Sequence, residues 1–179
     1  MFSNRFSRVV LSVFALAGSI WLGLAVARLA VGYDAFVAGT VLIKPKLSQP
    51  VLLQTIWLYT SLGMWSTIAY ATTAVTGLLV LWLIRSHYKA YGWLLMSTLL
   101  FVVIIPAQAY LIDADLLLWS FFDYHTGMPL AEPAQIISVF ASRFSNQAIG
   151  ITTSLVLLTA ITIVLFTTMR PLHNTATNE

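Results

Sequence analysis

Residues 51–84 read VLLQTIWLYTSLGMWSTIAYATTAVTGLLVLWLI, thirty-four positions without a charged side chain before Arg85. A bilayer offers no water to satisfy backbone N–H and C=O groups, so such a run must close its own hydrogen bonds as a helix. At about 1.5 Å per residue it is roughly 50 Å long, against a hydrocarbon core of about 30 Å. It either tilts strongly or lifts its first two turns, residues 51–59, above the bilayer.

The rest of the chain agrees with that solvent. Of 179 residues, 59% are hydrophobic and 8% charged, where a soluble domain carries about 25% charge. The expectation is a single-domain, all-α integral membrane protein: four transmembrane helices, with short interfacial helices in the outer loops. The net charge of +3 comes without any basic run, so no nucleic acid is expected as a partner. With no cysteine, disulfides and thiolate-ligated metals are excluded.

The first span is placed at residues 9–31, after a cytoplasmic N-terminus at 1–8. Arg5 and Arg8 precede an apolar run, and residues 25–27 have the small-x-small form of a cleavage site. The apolar stretch outruns a signal core, so an uncleaved helix is expected. Ala15, Ser19, Gly23 and Ala27 recur every four residues, a stripe that lets another helix backbone approach closely. Arg28 is the one charge inside a span. It either snorkels to the headgroups or pairs with Asp34, Asp113 or Asp115 at the same face.

Residues 32–50 form a first outer loop, whose apolar piece 35–43 is expected along the interface. The second span, 51–84, carries another small stripe, Ser66, Ala69, Thr73 and Gly77, beside Thr67, Thr72 and Thr76. Packing is the expected use of this face, and a polar path is the alternative. Residues 85–91 make a cytoplasmic turn, in which Arg85, His87 and Lys89 lie among Trp82, Tyr88, Tyr91 and Trp93, an aromatic belt with basic neighbours. The third span, 92–112, is expected to kink at Pro106.

Residues 113–147 form the second outer loop. Its stretch 116–122 is too short to span and too apolar for water, so it belongs in the interface or against a partner. After Pro133 the period of Ile136, Phe140 and Phe144 is helical, predicting a short amphipathic helix on the membrane surface. The fourth span covers 148–169 and a cytoplasmic tail 170–179. Basic residues decide orientation: Arg5, Arg8, Arg85, Lys89 and Arg170 on one side, Lys44, Lys46, Arg143 and the edge residue Arg28 on the other. The first set lies in short segments, which places both termini in the cytoplasm. With neither disulfides nor an organelle address, a prokaryotic plasma membrane is the expected location.

Chemistry is scarce. Asp113, Asp115, Asp123, His125 and Glu132 fall in the second outer loop, and carboxylates with an imidazole suit a divalent ion. No span holds a histidine, so haem is not expected. No nucleophile triad, phosphate loop or zinc-helix motif occurs. The expected function is therefore a non-catalytic accessory or structural subunit of a larger membrane complex, with the bilayer and other membrane subunits as partners and bound lipid in its grooves. A small homo-oligomeric channel or transporter, with Thr72, Thr73 and Thr76 lining a path, is the first alternative. A membrane enzyme with a metal at the Asp/His cluster is the second.

Overall fold

A computed structural model describes residues 5–88 and 91–169. Lys89 and the tail with Arg170 and His173 lie outside the described residues. Five α-helices occur in order: α1 (Arg5–Asp34), α2 (Gln49–Ile84), α3 (Gly92–Trp119), α4 (Pro133–Ser145) and α5 (Gln147–Met169). Arg85–His87 form a 3-10 turn between α2 and α3. Among the described residues there are no strands, only isolated bridges between Phe36 and Ile43 and between Phe122 and Pro129. Four helices, α1, α2, α3 and α5, are long and apolar enough to cross a membrane, which is compatible with an integral membrane location.

α2 is the spine. Its buried residues include Leu52, Ile56, Tyr59, Gly63, Ser66, Tyr70, Thr73, Gly77, Val80 and Ile84, alternating in steps of four and three. That is the 3.5-residue period of a helix whose one face stays turned toward its neighbours. α1 packs along α2 and α5 along α3, giving two pairs joined by lighter contacts between α2 and α3.

Apolar side chains form three successive layers. Val10, Val80, Ile84 and Leu94 close the end near the 3-10 turn. Trp21, Ala69, Tyr70, Ile104, Leu111 and Val156 fill the middle. At the opposite, capped end, Phe36, Ile56, Tyr59, Leu118, Ile136 and Phe140 belong to the most enclosed layer.

The capped end buries apolar residues that the sequence leaves without a protein partner. At 36 residues α2 is roughly 54 Å long, and at 28 residues α3 is roughly 42 Å, so both overrun a hydrocarbon core of about 30 Å. The third helix continues through Asp113 and Asp115 to Trp119, beyond the expected end at 112. In the stretch 116–122, Leu118, Phe121 and Phe122 are buried in the cap, while Leu116 and Leu117 stay exposed. The amphipathic helix is present as α4, and Ile136 and Phe140 of its apolar face are fully buried against protein. In the first loop, Ala35 and Phe36 are likewise buried while Val41 and Leu42 stay exposed. The turns of α2 and α3 at this end supply apolar surface that α4 and the first loop cover.

Candidate functional site

Between the cap and the middle layer lies a charged cluster. α1 brings Arg28 and α3 brings Asp115 to it, with Arg28 Nη1 donating to Asp115 Oδ2 at 2.5 Å. From α4, Arg143 Nε lies 2.6 Å from Asp115 Oδ1. That second contact is an ion pair without hydrogen-bond alignment, since neither atom has a hydrogen-bond partner. The Arg28, Asp115 and Arg143 side chains are 11%, 13% and 9% exposed. Two cations therefore share one anion in a place water hardly reaches.

α2 provides the floor. The Tyr59 ring lies under the Arg28 guanidinium, 4.1 Å from centroid to Cζ, and 6.0 Å from that of Arg143. The negative face of an aromatic ring attracts such cations, more strongly when they are desolvated. One turn on, Gly63 lets the guanidinium approach: a Cβ there would stand 2.8 Å from Arg28 Cζ. A Cβ at residue 63 would oblige the guanidinium to shift from its place over Tyr59. Besides Arg143 Nε, the donors Arg28 Nε, Arg28 Nη2 and Trp119 Nε1 are buried at this level without hydrogen-bond partners.

A cleft of about 880 Å³, its open mouth included, runs down from the cluster. Arg28, Arg143 and Tyr59 line its head. Trp21, Ala25 and Leu29 of α1, and Ile149, Val156 and Leu157 of α5, line its length. Ser66 and Gln108 are its polar members from α2 and α3. Because α1 leans on α2 and α5 on α3, the cleft lies between the two helix pairs.

The structure brings together Arg28 and Asp115 of the residues named from sequence, and separates the others. Asp34 pairs with Lys44 at 2.7 Å on the surface, and Asp113 is exposed. Among the described residues, no three His, Asp or Glu side chains come together as a metal site. This corrects the proposed set: Asp115 is engaged by arginines, while Glu132 precedes α4 and is exposed. Asp123 organises a turn, its Oδ1 accepting from the N–H groups of His125 at 2.7 Å and Thr126 at 2.9 Å.

Those backbone donors, Thr126 first and then His125, hold the Asp123 carboxyl below the usual carboxylate range. A depressed carboxyl contributes stability that is present above its unfolded-state value and is lost as pH falls through the lower folded one. The 123–128 turn is thus expected to loosen only below about pH 4, and amide exchange at His125 and Thr126 should accelerate there. Exchange rates at these amides that rise already near pH 6 would contradict this. Gly127 closes the same turn at φ +69°, and a Cβ there would meet the Trp57 indole.

The two small-residue stripes have opposite fates. Ser66, Ala69, Thr73 and Gly77 of α2 are all buried within the chain; the Thr73 side chain, for example, lies close against Gly18 of α1. Ala15, Ser19, Gly23 and Ala27 of α1 are all exposed, and a Cβ on Gly23 would find nothing within 4 Å. The threonines of α2 turn inward on their own helix: Thr72, Thr73 and Thr76 donate to Ile68, Ala69 and Thr72 carbonyls at 3.0, 2.8 and 2.6 Å.

Tyr59, and the sharing of Asp115 by Arg28 and Arg143 together, are what sequence reasoning missed; Arg143 is expected there only as one of three partners for the outer-loop acids. Arg143 follows Phe140 by three positions, so the period that buries Phe140 also turns Arg143 toward the core. Comparison with protein-family models, curated proteins and solved structures gave no match to this chain.

Proposed function

We propose that this chain is a non-catalytic subunit of a larger membrane assembly, resident in a prokaryotic plasma membrane with both termini cytoplasmic. The observation that carries the reading is the exposed stripe Ala15, Ser19, Gly23 and Ala27 on α1. Helix association in lipid depends on close backbone approach and dispersion, because lipid tails are as apolar as the helix surfaces themselves. α2 uses such a stripe for internal packing; α1 carries one that its own chain leaves open. A neighbouring membrane helix is the partner suited to it. The channel reading has no comparable support, since Thr73 is buried and the hydroxyl hydrogens of Thr72, Thr73 and Thr76 are engaged by their own helix.

Gentle detergent extraction from the native membrane, followed by mass spectrometry, tests the proposal. Other membrane proteins should co-purify at constant stoichiometry, and Gly23→Leu should release them while leaving the melting temperature unchanged. A chain that purifies alone, or only as copies of itself, overturns it.

A further inference from the structure

We infer that the cleft between α1 and α5 is a binding site for an anionic amphiphile, whose phosphate or carboxylate head is held by Arg28 and Arg143 and whose acyl chain lies between the two helices. Three observations converge on this.

The first is charge. Arg28 and Arg143 face a single carboxylate, Asp115, and all three side chains are close to nine-tenths buried. One positive charge is left over where the dielectric is low, and buried charges are retained when paired. Arg28 also keeps Nε and Nη2 without acceptors. An anion at the cleft head supplies the missing charge, and its oxygens supply acceptors for guanidinium N–H groups.

The second is depth. Over its described residues α5 is 23 long, roughly 34 Å, close to the thickness of the hydrocarbon core, so a bilayer matched to it has its boundary near the first turn. Arg143 precedes that turn by four positions, which puts the cluster at the level of lipid headgroups. The third is shape. Below the cluster most of the lining is apolar, with Trp21 and Ala25 on one side and Ile149, Val156 and Leu157 on the other; Ser66 and Gln108 interrupt it, and the hydroxyls of Thr153 and Ser154 are turned back on α5, donating to the Ile149 and Gly150 carbonyls at 2.8 and 3.0 Å. A charged head over an apolar slot suits an amphiphile; a free inorganic anion would use the head alone.

The test uses the full chain in mild detergent, with phosphatidylglycerol, phosphatidylcholine or inorganic phosphate added, and reads retained lipid by native mass spectrometry alongside the melting temperature. Phosphatidylglycerol should be retained about tenfold or more over phosphatidylcholine, the effect of a charge-assisted hydrogen bond, and should raise the melting temperature. Arg143→Gln should remove the headgroup preference. Gly150→Phe keeps the charges and places a ring in open space at the cleft wall, so it should lower retention of both lipids. Equal retention of the two lipids by the native chain overturns the inference. So does stabilisation by inorganic phosphate without lipid retention, or undiminished lipid binding in Gly150→Phe.

Discussion

Asp115→Ala is expected to destabilise the protein by about 3–5 kcal/mol, the usual cost of removing one partner from a buried ion pair. The carboxylate stands between Arg28 and Arg143, both buried, and no other acid is positioned to replace it among the described residues. Its loss leaves two like charges facing each other over Tyr59. Asp113→Ala, two positions away on the same helix and exposed, should change stability by less than about 0.5 kcal/mol. Replacing the three charges together (Arg28→Met, Asp115→Leu, Arg143→Met) should recover much of the loss, because an apolar set of similar volume carries no desolvation cost. Unfolding in mixed micelles measures all three variants. If Asp115→Ala and Asp113→Ala unfold alike, the cluster does not hold the capped end together.

Phe140→Ala is expected to cost about 3–5 kcal/mol as well, for a different reason. Phe140 is fully buried, stacked on Phe36 at 5.5 Å and set edge-on against Tyr59 at 5.3 Å. Truncation opens a cavity beneath α4 and removes a ring that holds Tyr59, so the Arg28 and Arg143 guanidinium groups lose part of their support. The expected result is a lower melting temperature together with protease sensitivity confined to the 120–147 region. The variant also separates two uses of an amphipathic helix. Were α4 resting on lipid, Phe140→Ala would leave thermal stability nearly unchanged and weaken only the attachment of that segment to the bilayer.

Much of the fold could be read from residue order, because lipid leaves so few options. Four long apolar runs and a helical period after Pro133 define five helices before any packing is known. The errors sit at one end and share a cause. Asp113 and Asp115 read as the end of the third span, since an unpaired carboxylate terminates a membrane helix; in the fold Asp115 is paired by Arg28 and Arg143, and the helix runs on to Trp119. The apolar stretch 116–122 and the face of α4 then looked as if they needed lipid, whereas each covers the other.

The site was half visible. Arg28 stood out as a charge inside a span, but three acids competed for it, and Asp115 lies 87 positions away. Local periodicity cannot choose among partners at that separation. Arg143 reads as a loop charge, one of three basic partners open to the outer acids, although its spacing from Ile136 and Phe140 puts it on the buried face. Tyr59 has no distinguishing mark in a span rich in aromatics; its role comes from Gly63, one turn away, where a missing Cβ admits the guanidinium. The fate of the two small-residue stripes was equally hidden, since sequence spacing is the same for a stripe packed within the chain and for one left open.

That open stripe is the centre of the functional proposal, and the absence of cysteine from the chain gives a clean background for testing it. Single cysteines introduced in turn, as Ser19→Cys, Gly23→Cys and Ala27→Cys on α1 and as Ser66→Cys and Thr73→Cys on α2, would be treated with a short bifunctional thiol reagent in intact native membranes. The proposal predicts that the α1 positions join the chain to a different membrane protein, while the buried α2 positions give no product. Products that contain only copies of this chain, or no product from any α1 position, would contradict it.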